Sequence, residues 1–214
     1  MIPKNPLVRC LRPGAVLASA ALLALSGCNG GGGGEEPASK DQAALTELSD
    51  RLVAAESHAY TAKYLVEGSD DEVLVAVDPE AGTAAVVVGD RPQLWQGEGD
   101  AELSVWLRQQ LEGVLPAESE VASWLAATAA DPSATSVFSD TTLAGELADC
   151  VDVQGAESSP VGSYEVCVTT VGVIASITAK VDDTAYTTKL VNYHDGVDTT
   201  WLDEITGRAS TDNQ

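Results

Sequence analysis

The chain has 214 residues, with 33 acidic against 11 basic side chains and a formal charge of -22. A surface that acidic repels nucleic acid and anionic lipid head groups, which excludes both as partners of the folded surface. Such charge suits ordinary solubility, and equally a salty habitat in which repulsion is screened.

The amino terminus is built for export. Lys4, Arg9 and Arg12 make a positive segment, and Gly14 to Leu25 is almost entirely Ala, Leu and Val. That run has about the length of a signal-peptide core and is too short to span a bilayer. Leu25-Ser26-Gly27-Cys28 then closes it. The pattern resembles the lipobox of the bacterial lipoprotein pathway, which implies diacylglycerol on the Cys28 thiol, cleavage before Cys28 and acylation of the new amine. The other reading of these residues is an ordinary secretory signal with a chance cysteine. Residues 1–27 are expected to be removed with their three cations, which takes the charge from -22 to -25. Residues 28–38 hold the lipidated cysteine and a linker with Gly30 to Gly34 in a row. About ten such residues reach roughly 17 Å. The expected location is the outer face of the cytoplasmic membrane, with the acyl chains supplying membrane affinity.

Residues 39–207 are expected to form one α+β domain, and residues 208–214 a disordered tail. Ser39-Lys40-Asp41-Gln42 has the form of a capping box, and Leu45, Leu48, Leu52 and Val53 continue a helix to about Glu56. The period then changes to two. Strands are predicted from Tyr60, around Val73 to Val77, over Thr83–Val88 and, after a Gly89–Pro92 turn, at Gln93–Trp95. Leu103, Trp106, Leu107 and Leu111 form one helical stripe. Val121, Trp124, Leu125 and Thr128 form another, behind a start at Pro116. A short strand at Thr135–Phe138 and a turn or helix at Thr141–Glu146 follow. Strands at Leu147–Val153, Ser163–Thr169, Val173–Ala179 and Ala185–Tyr193 come next, and a helical turn at residues 198–205 holds Trp201 and Ile205.

Cys10 leaves with the leader and Cys28 is lipidated, so Cys150 and Cys167 remain as an even pair in an exported chain. Folding their segment about Ser158–Ser159 sets the two opposite each other on adjacent strands. Closing that loop of about 17 residues is worth roughly 3 kcal/mol. The expected architecture is about eight antiparallel strands in one curved sheet, with an N-terminal helix and two central helices on one face.

The order of lipobox, polar linker, helix ending in Ala54-Ala55-Glu56-Ser57-His58-Ala59, strand Tyr60–Gly68 and short antiparallel strands resembles the mycobacterial LppX/LprG-type lipoproteins. These belong to the wider group with a LolA-like fold. The resemblance implies a half-barrel that encloses an apolar cavity with its helices, and a lipid or lipoglycan as ligand. The Cys150/Cys167 pair is an addition to that pattern.

No catalytic constellation is legible. The glycine run lacks a P-loop lysine, and neither G-x-S-x-G nor H-E-x-x-H occurs. His58 sits at a helix-to-strand junction and His194 at a strand end, while Asp70–Glu72 and Asp182–Asp183 fall in turns without calcium-loop spacing. No cofactor or metal is expected. What remains is apolar binding. Ala62, Val73, Val75, Ala85, Val87, Ala175 and Ile177 read as inward and small or medium in size. The candidate ligand-lining set is Tyr60, Val75, Trp106, Trp124 and Ile177. Two functions fit: a non-catalytic binder or shuttle of an apolar or amphiphilic ligand, or a solid-cored accessory or sensor lipoprotein that contacts an envelope protein. In the second the tryptophans fill the core.

Overall fold

The computed structural model describes residues 39–69, 71–97, 99–198 and 200–201. The expected leader, the lipobox cysteine Cys28, the linker to residue 38, Ile205 and the tail from 208 lie outside the described residues. No helix among the described residues is long and apolar enough to cross a membrane.

Helix α1, Lys40–Ala55, begins as its sequence requires. The Gln42 N–H donates to Ser39 Oγ at 3.2 Å and the Ser39 N–H donates to Gln42 Oε1 at 2.8 Å. Its buried stripe is Leu45, Leu48, Leu52 and Ala55, with Ser49 donating to the Ala122 carbonyl at 2.9 Å. A meander follows: β1 Tyr60–Val66, β2 Glu72–Asp78, β3 Thr83–Val88 and β4 Arg91–Gln96. Then come α2 Asp100–Leu111 and α3 Glu118–Ala129. The second run is β5 Thr135–Leu143, β6 Glu146–Gln154, β7 Ser163–Thr169, β8 Ile174–Val181 and β9 Thr184–Asp195.

All the strands among the described residues lie in one open antiparallel sheet of nine, ordered β4-β3-β2-β1-β9-β8-β7-β6-β5. The last strand closes onto the first meander through β1, with Tyr60 opposite Asp195 and Ala62 opposite Tyr193. The register shifts between Lys63 and Tyr64, and again between Cys167 and Val168. Such irregularities bend a strand and increase its twist. Leu45, Leu48 and Leu52 of α1 join Val121, Trp124 and Leu125 of α3 in one core with Tyr64, Val75, Val86, Val151, Val166, Ile177 and Leu190 of the sheet. The helices therefore cover one face.

Several boundaries differ from expectation. The sheet has nine strands where about eight were expected, and the turn expected within Thr141–Glu146 is confined to two residues: β5 runs on to Leu143 and meets β6 across Ala144-Gly145. Both those residues have positive φ, 52° and 87°, which a two-residue hairpin of the primed type demands. β5 is an edge strand with mostly exposed polar residues, so its alternation is faint. Arg91 and Pro92 belong to β4 and not to a turn; Pro92 is tolerated because β4 is the other edge. α3 starts at Glu118, two residues after Pro116.

Three inward assignments are overturned. Val75 pairs with Val86, so Ala84 and Val86 face the core while Ala85 and Val87 group with Ala76 on the opposite face. An all-apolar strand carries no alternation to fix its phase. Ala175 also turns away, beside Cys150 and Cys167, where the register shift interrupts the alternation. The cysteines themselves stand directly opposite across β6 and β7 and form a disulfide spanning 17 positions.

Candidate functional site

Under the start of α3 the apolar core is interrupted by polar groups. β1 sends Tyr60, Ala62 and Tyr64 to the core face by strand alternation, and β9 sets Tyr193 opposite Ala62. The first turn of α3 brings Glu118 and Ser119 down onto them. The Tyr60 hydroxyl donates to Glu118 Oε1 at 2.9 Å. The hydroxyls of Tyr64, Tyr193 and Ser119 are buried and have no hydrogen-bond partner among the described residues. Leaving such a group unsatisfied costs about 1–3 kcal/mol, so three together mark an unusual place.

Burial and then the Glu118 carboxylate push the Tyr60 phenol well above its ordinary range, and the same two causes act on Tyr64. The Glu118 carboxyl is itself raised, first by burial, although its own helix N–H and the Tyr60 hydroxyl oppose the shift and Glu56 adds to it. A cavity of about 20 Å³ adjoins the cluster. Glu56 closes it from the end of α1, Tyr60 and Val77 from the sheet, Leu103, Ser104 and Leu107 from α2, and Glu118 and Ser119 from α3. That is room for about one water. None of the described residues lining it is Lys, Arg or His.

α2 is the lightly held wall of this cavity. Leu103 and Leu111 are its buried side chains among the described residues, against five buried positions on α3. Glycines flank it: Gly99 at φ 113° and Gly113 at φ 82°. The chain beyond is fixed, since the Thr188 hydroxyl donates to the Val114 carbonyl at 2.6 Å and Leu115, Pro116 and Ala117 are buried. Outside α2 lies a shallow space of about 380 Å³ beside Val105 and the half-buried Trp106.

No family model matches the chain, and no curated protein matches it either.

Of the five residues expected to line a ligand, Tyr60, Val75, Trp124 and Ile177 lie in the core cluster, and Trp106 packs at its edge. Tyr60 lines the small cavity. Val75, Trp124 and Ile177 are each 1 % exposed, and Trp124 meets the Tyr164 ring edge-on at 5.8 Å between centroids. Ile177 also borders an open groove of about 700 Å³ between the β1–β2 turn and β8–β9, which Glu67, Glu72 and Lys189 help to line. His58 and His194 are exposed, and no group of acidic, histidine or cysteine side chains suited to a metal occurs among the described residues.

Glu118, Tyr64, Tyr193 and Ser119 were not singled out by the sequence. One signal was available: Glu118, Val121, Ala122 and Leu125 fall at helical spacing, so Glu118 is a lone acid on the stripe of α3 that turns to the core.

Proposed function

We propose that this protein is a lipid-anchored envelope lipoprotein that binds or shuttles an amphiphile between α2 and the sheet, without catalysis. The observation that carries the reading is the set of unpaired buried hydroxyls at Tyr64, Tyr193 and Ser119, the last of which lines a water-sized cavity whose outer wall is α2. Unsatisfied groups in a core are costly and tend to persist where a ligand completes them. Glycine borders let α2 swing away, since the left-handed backbone at Gly113 is open to other conformations at little steric cost. Displacing α2 uncovers Leu103, Leu107 and Val77 for an acyl chain and the Tyr/Glu cluster for its polar end. A half-barrel of LolA type is the form we infer for the open sheet, and Cys28 the residue that tethers it to the membrane. The tether holds the domain at the bilayer from which such a ligand comes.

The tightly filled core at Val75, Trp124 and Ile177 favours the second reading, an accessory or sensor lipoprotein that acts through contacts with an envelope protein. One experiment separates the two. The full chain is expressed in the envelope of a bacterium with a lipoprotein pathway, recovered gently and examined by native mass spectrometry with organic extraction. A near-stoichiometric lipid beyond the covalent anchor supports the binder. A clean apo mass from both the wild type and the Cys28→Ala chain overturns it in favour of a protein partner. Cys28→Ala should also leave the membrane fraction; persistent anchoring rules out the lipobox.

A further inference from the structure

The polar end of the α2 pocket is specialised in sign as well as in hydrogen bonding. The carboxylate of Glu118 accepts from Tyr60 through Oε1, and Glu56 brings a second carboxylate to the cavity wall. No described residue lining the cavity can offset an anion. The N-terminus of α3, which would otherwise draw negative charge, is already faced by Glu118 and Glu120 in its first turn. A phosphate or sulfate entering here meets two like charges in a low-dielectric place, where repulsion is weakly screened. A hydroxyl or an ammonium meets acceptors instead. Ser119, which lines the cavity and whose buried hydroxyl is unpaired, is placed to bond a ligand hydroxyl as donor or acceptor.

We propose that this site selects amphiphiles whose polar end donates hydrogen bonds and carries no negative charge, a glycosyl hydroxyl or an amine, against anionic amphiphiles. The inference rests on the binding reading above and adds to it the class of head group. Selection comes from the Glu118 carboxylate, and Ser119 supplies the partner that distinguishes a polar head from a bare alkyl chain.

The test uses the full chain carrying Cys28→Ala, so that no lipid of its own competes, and three probes with one alkyl chain: dodecyl maltoside, dodecylamine and dodecyl phosphate. Binding is followed by tryptophan fluorescence below the micellar concentration of each. The maltoside and the amine should bind at least about tenfold tighter than the phosphate. Glu118→Gln keeps an acceptor for Tyr60 and should narrow that gap. Ser119→Ala should weaken the maltoside several-fold while leaving the phosphate unchanged. A dodecylamine preference that survives Glu118→Gln intact comes from the acidic surface and overturns the inference. So does equal or tighter binding of the phosphate, although saturable binding of that kind leaves the amphiphile reading standing. No saturable binding by any of the three removes the amphiphile reading and the inference with it.

Discussion

Tyr60 and Glu118, 58 residues apart in the chain, meet at 2.9 Å where the first strand of the sheet passes beneath the first turn of α3. The contact ties sheet to helix at the point where the apolar core gives way to polar groups. It is a carboxylate held in a poorly solvated place by the Tyr60 phenol and by its own helix N–H, with the hydroxyls of Tyr64 and Tyr193 nearby and unpaired. Burial makes ionisation of Glu118 unfavourable, and the hydrogen bonds from its own helix N–H and from Tyr60 only partly offset that.

A pH dependence follows with a definite sign. The folded pKa of Glu118 lies above its ordinary value of 4.5, so the folded state holds this proton more firmly than the unfolded chain. Its contribution is fully present below pH 4.5 and is lost as pH rises through the raised value. Glu118→Gln should remove that loss, raising the melting temperature at neutral pH relative to wild type and flattening the curve just above pH 4.5. Parallel curves for the two proteins across that range would show that Glu118 is solvated.

Asp131 predicts the opposite limb. Its carboxylate accepts from the Ser133 hydroxyl at 2.6 Å, the Ser158 N–H at 2.6 Å and the Ser133 N–H at 2.9 Å, fastening the end of α3 to the β6–β7 loop. These bonds hold its pKa far below the ordinary 3.8. The stability it contributes is present above pH 3.8 and is lost as pH falls below it toward the folded value. Asp131→Asn should be less stable than wild type at neutral pH, and the difference should shrink on acidification. Urea titrations at a series of acid pH values measure it; a constant difference would reject the carboxylate's role.

Tyr64→Phe tests the cost of the orphaned hydroxyl. The ring keeps its place in the core, while a group that has lost water without gaining a partner is removed. The ligand-free protein should gain about 1 kcal/mol, within the range of about 1–3 kcal/mol for such groups. A loss of stability would mean that the hydroxyl is satisfied in solution, by water or by a bound molecule.

The disulfide was legible because two strands separated by a turn-rich segment put Cys150 and Cys167 at mirrored positions. The structure pairs them in register. Capping was legible at Ser39 and Gln42 because those signals are local. The phase of β3 was not, since Thr83-Ala84-Ala85-Val86-Val87-Val88 has no polar residue inside it to mark an outer face. Its orientation is imposed by the pairing of Val75 with Val86. The polar cluster was hidden for a related reason. Tyr60 and Tyr64 read as ordinary strand residues, Tyr193 lies at the far end of the chain, and Glu118 reads as a helix-start acid. Only the closure of β9 onto β1 and the descent of α3 bring the four together.

Removing the disulfide should be costly in proportion to the loop it closes. Cys150→Ser is expected to lower unfolding stability by about 2–4 kcal/mol, from greater freedom of the unfolded chain. Reduction of the wild type should reproduce the loss. Denaturant midpoints measured with and without reductant check this, and unchanged midpoints would mean the bridge is absent from the protein as made.

Two glycines separate steric need from mere backbone preference. At Gly172 φ is 89°, and an added Cβ would collide with the Arg51 carbonyl oxygen and lie 2.8 Å from the Ala55 Cβ, because the last turns of α1 rest on the β7–β8 turn. Arg51 cannot yield easily, since its guanidinium bonds Asp149 at 2.7 Å and Glu47 at 3.0 Å. At Gly113 φ is 82° but an added Cβ meets nothing within 4 Å. Gly113→Ala should therefore cost only the left-handed backbone strain, about 1–2 kcal/mol. Gly172→Ala bears a similar strain plus displacement of α1 from the sheet, and should be the more destabilising of the two. Denaturant midpoints of the pair decide the matter. Equal losses would show that α1 does not bear on the β7–β8 turn, while a larger loss at Gly113 would mean that the α2–α3 connection is packed more tightly than a movable α2 allows.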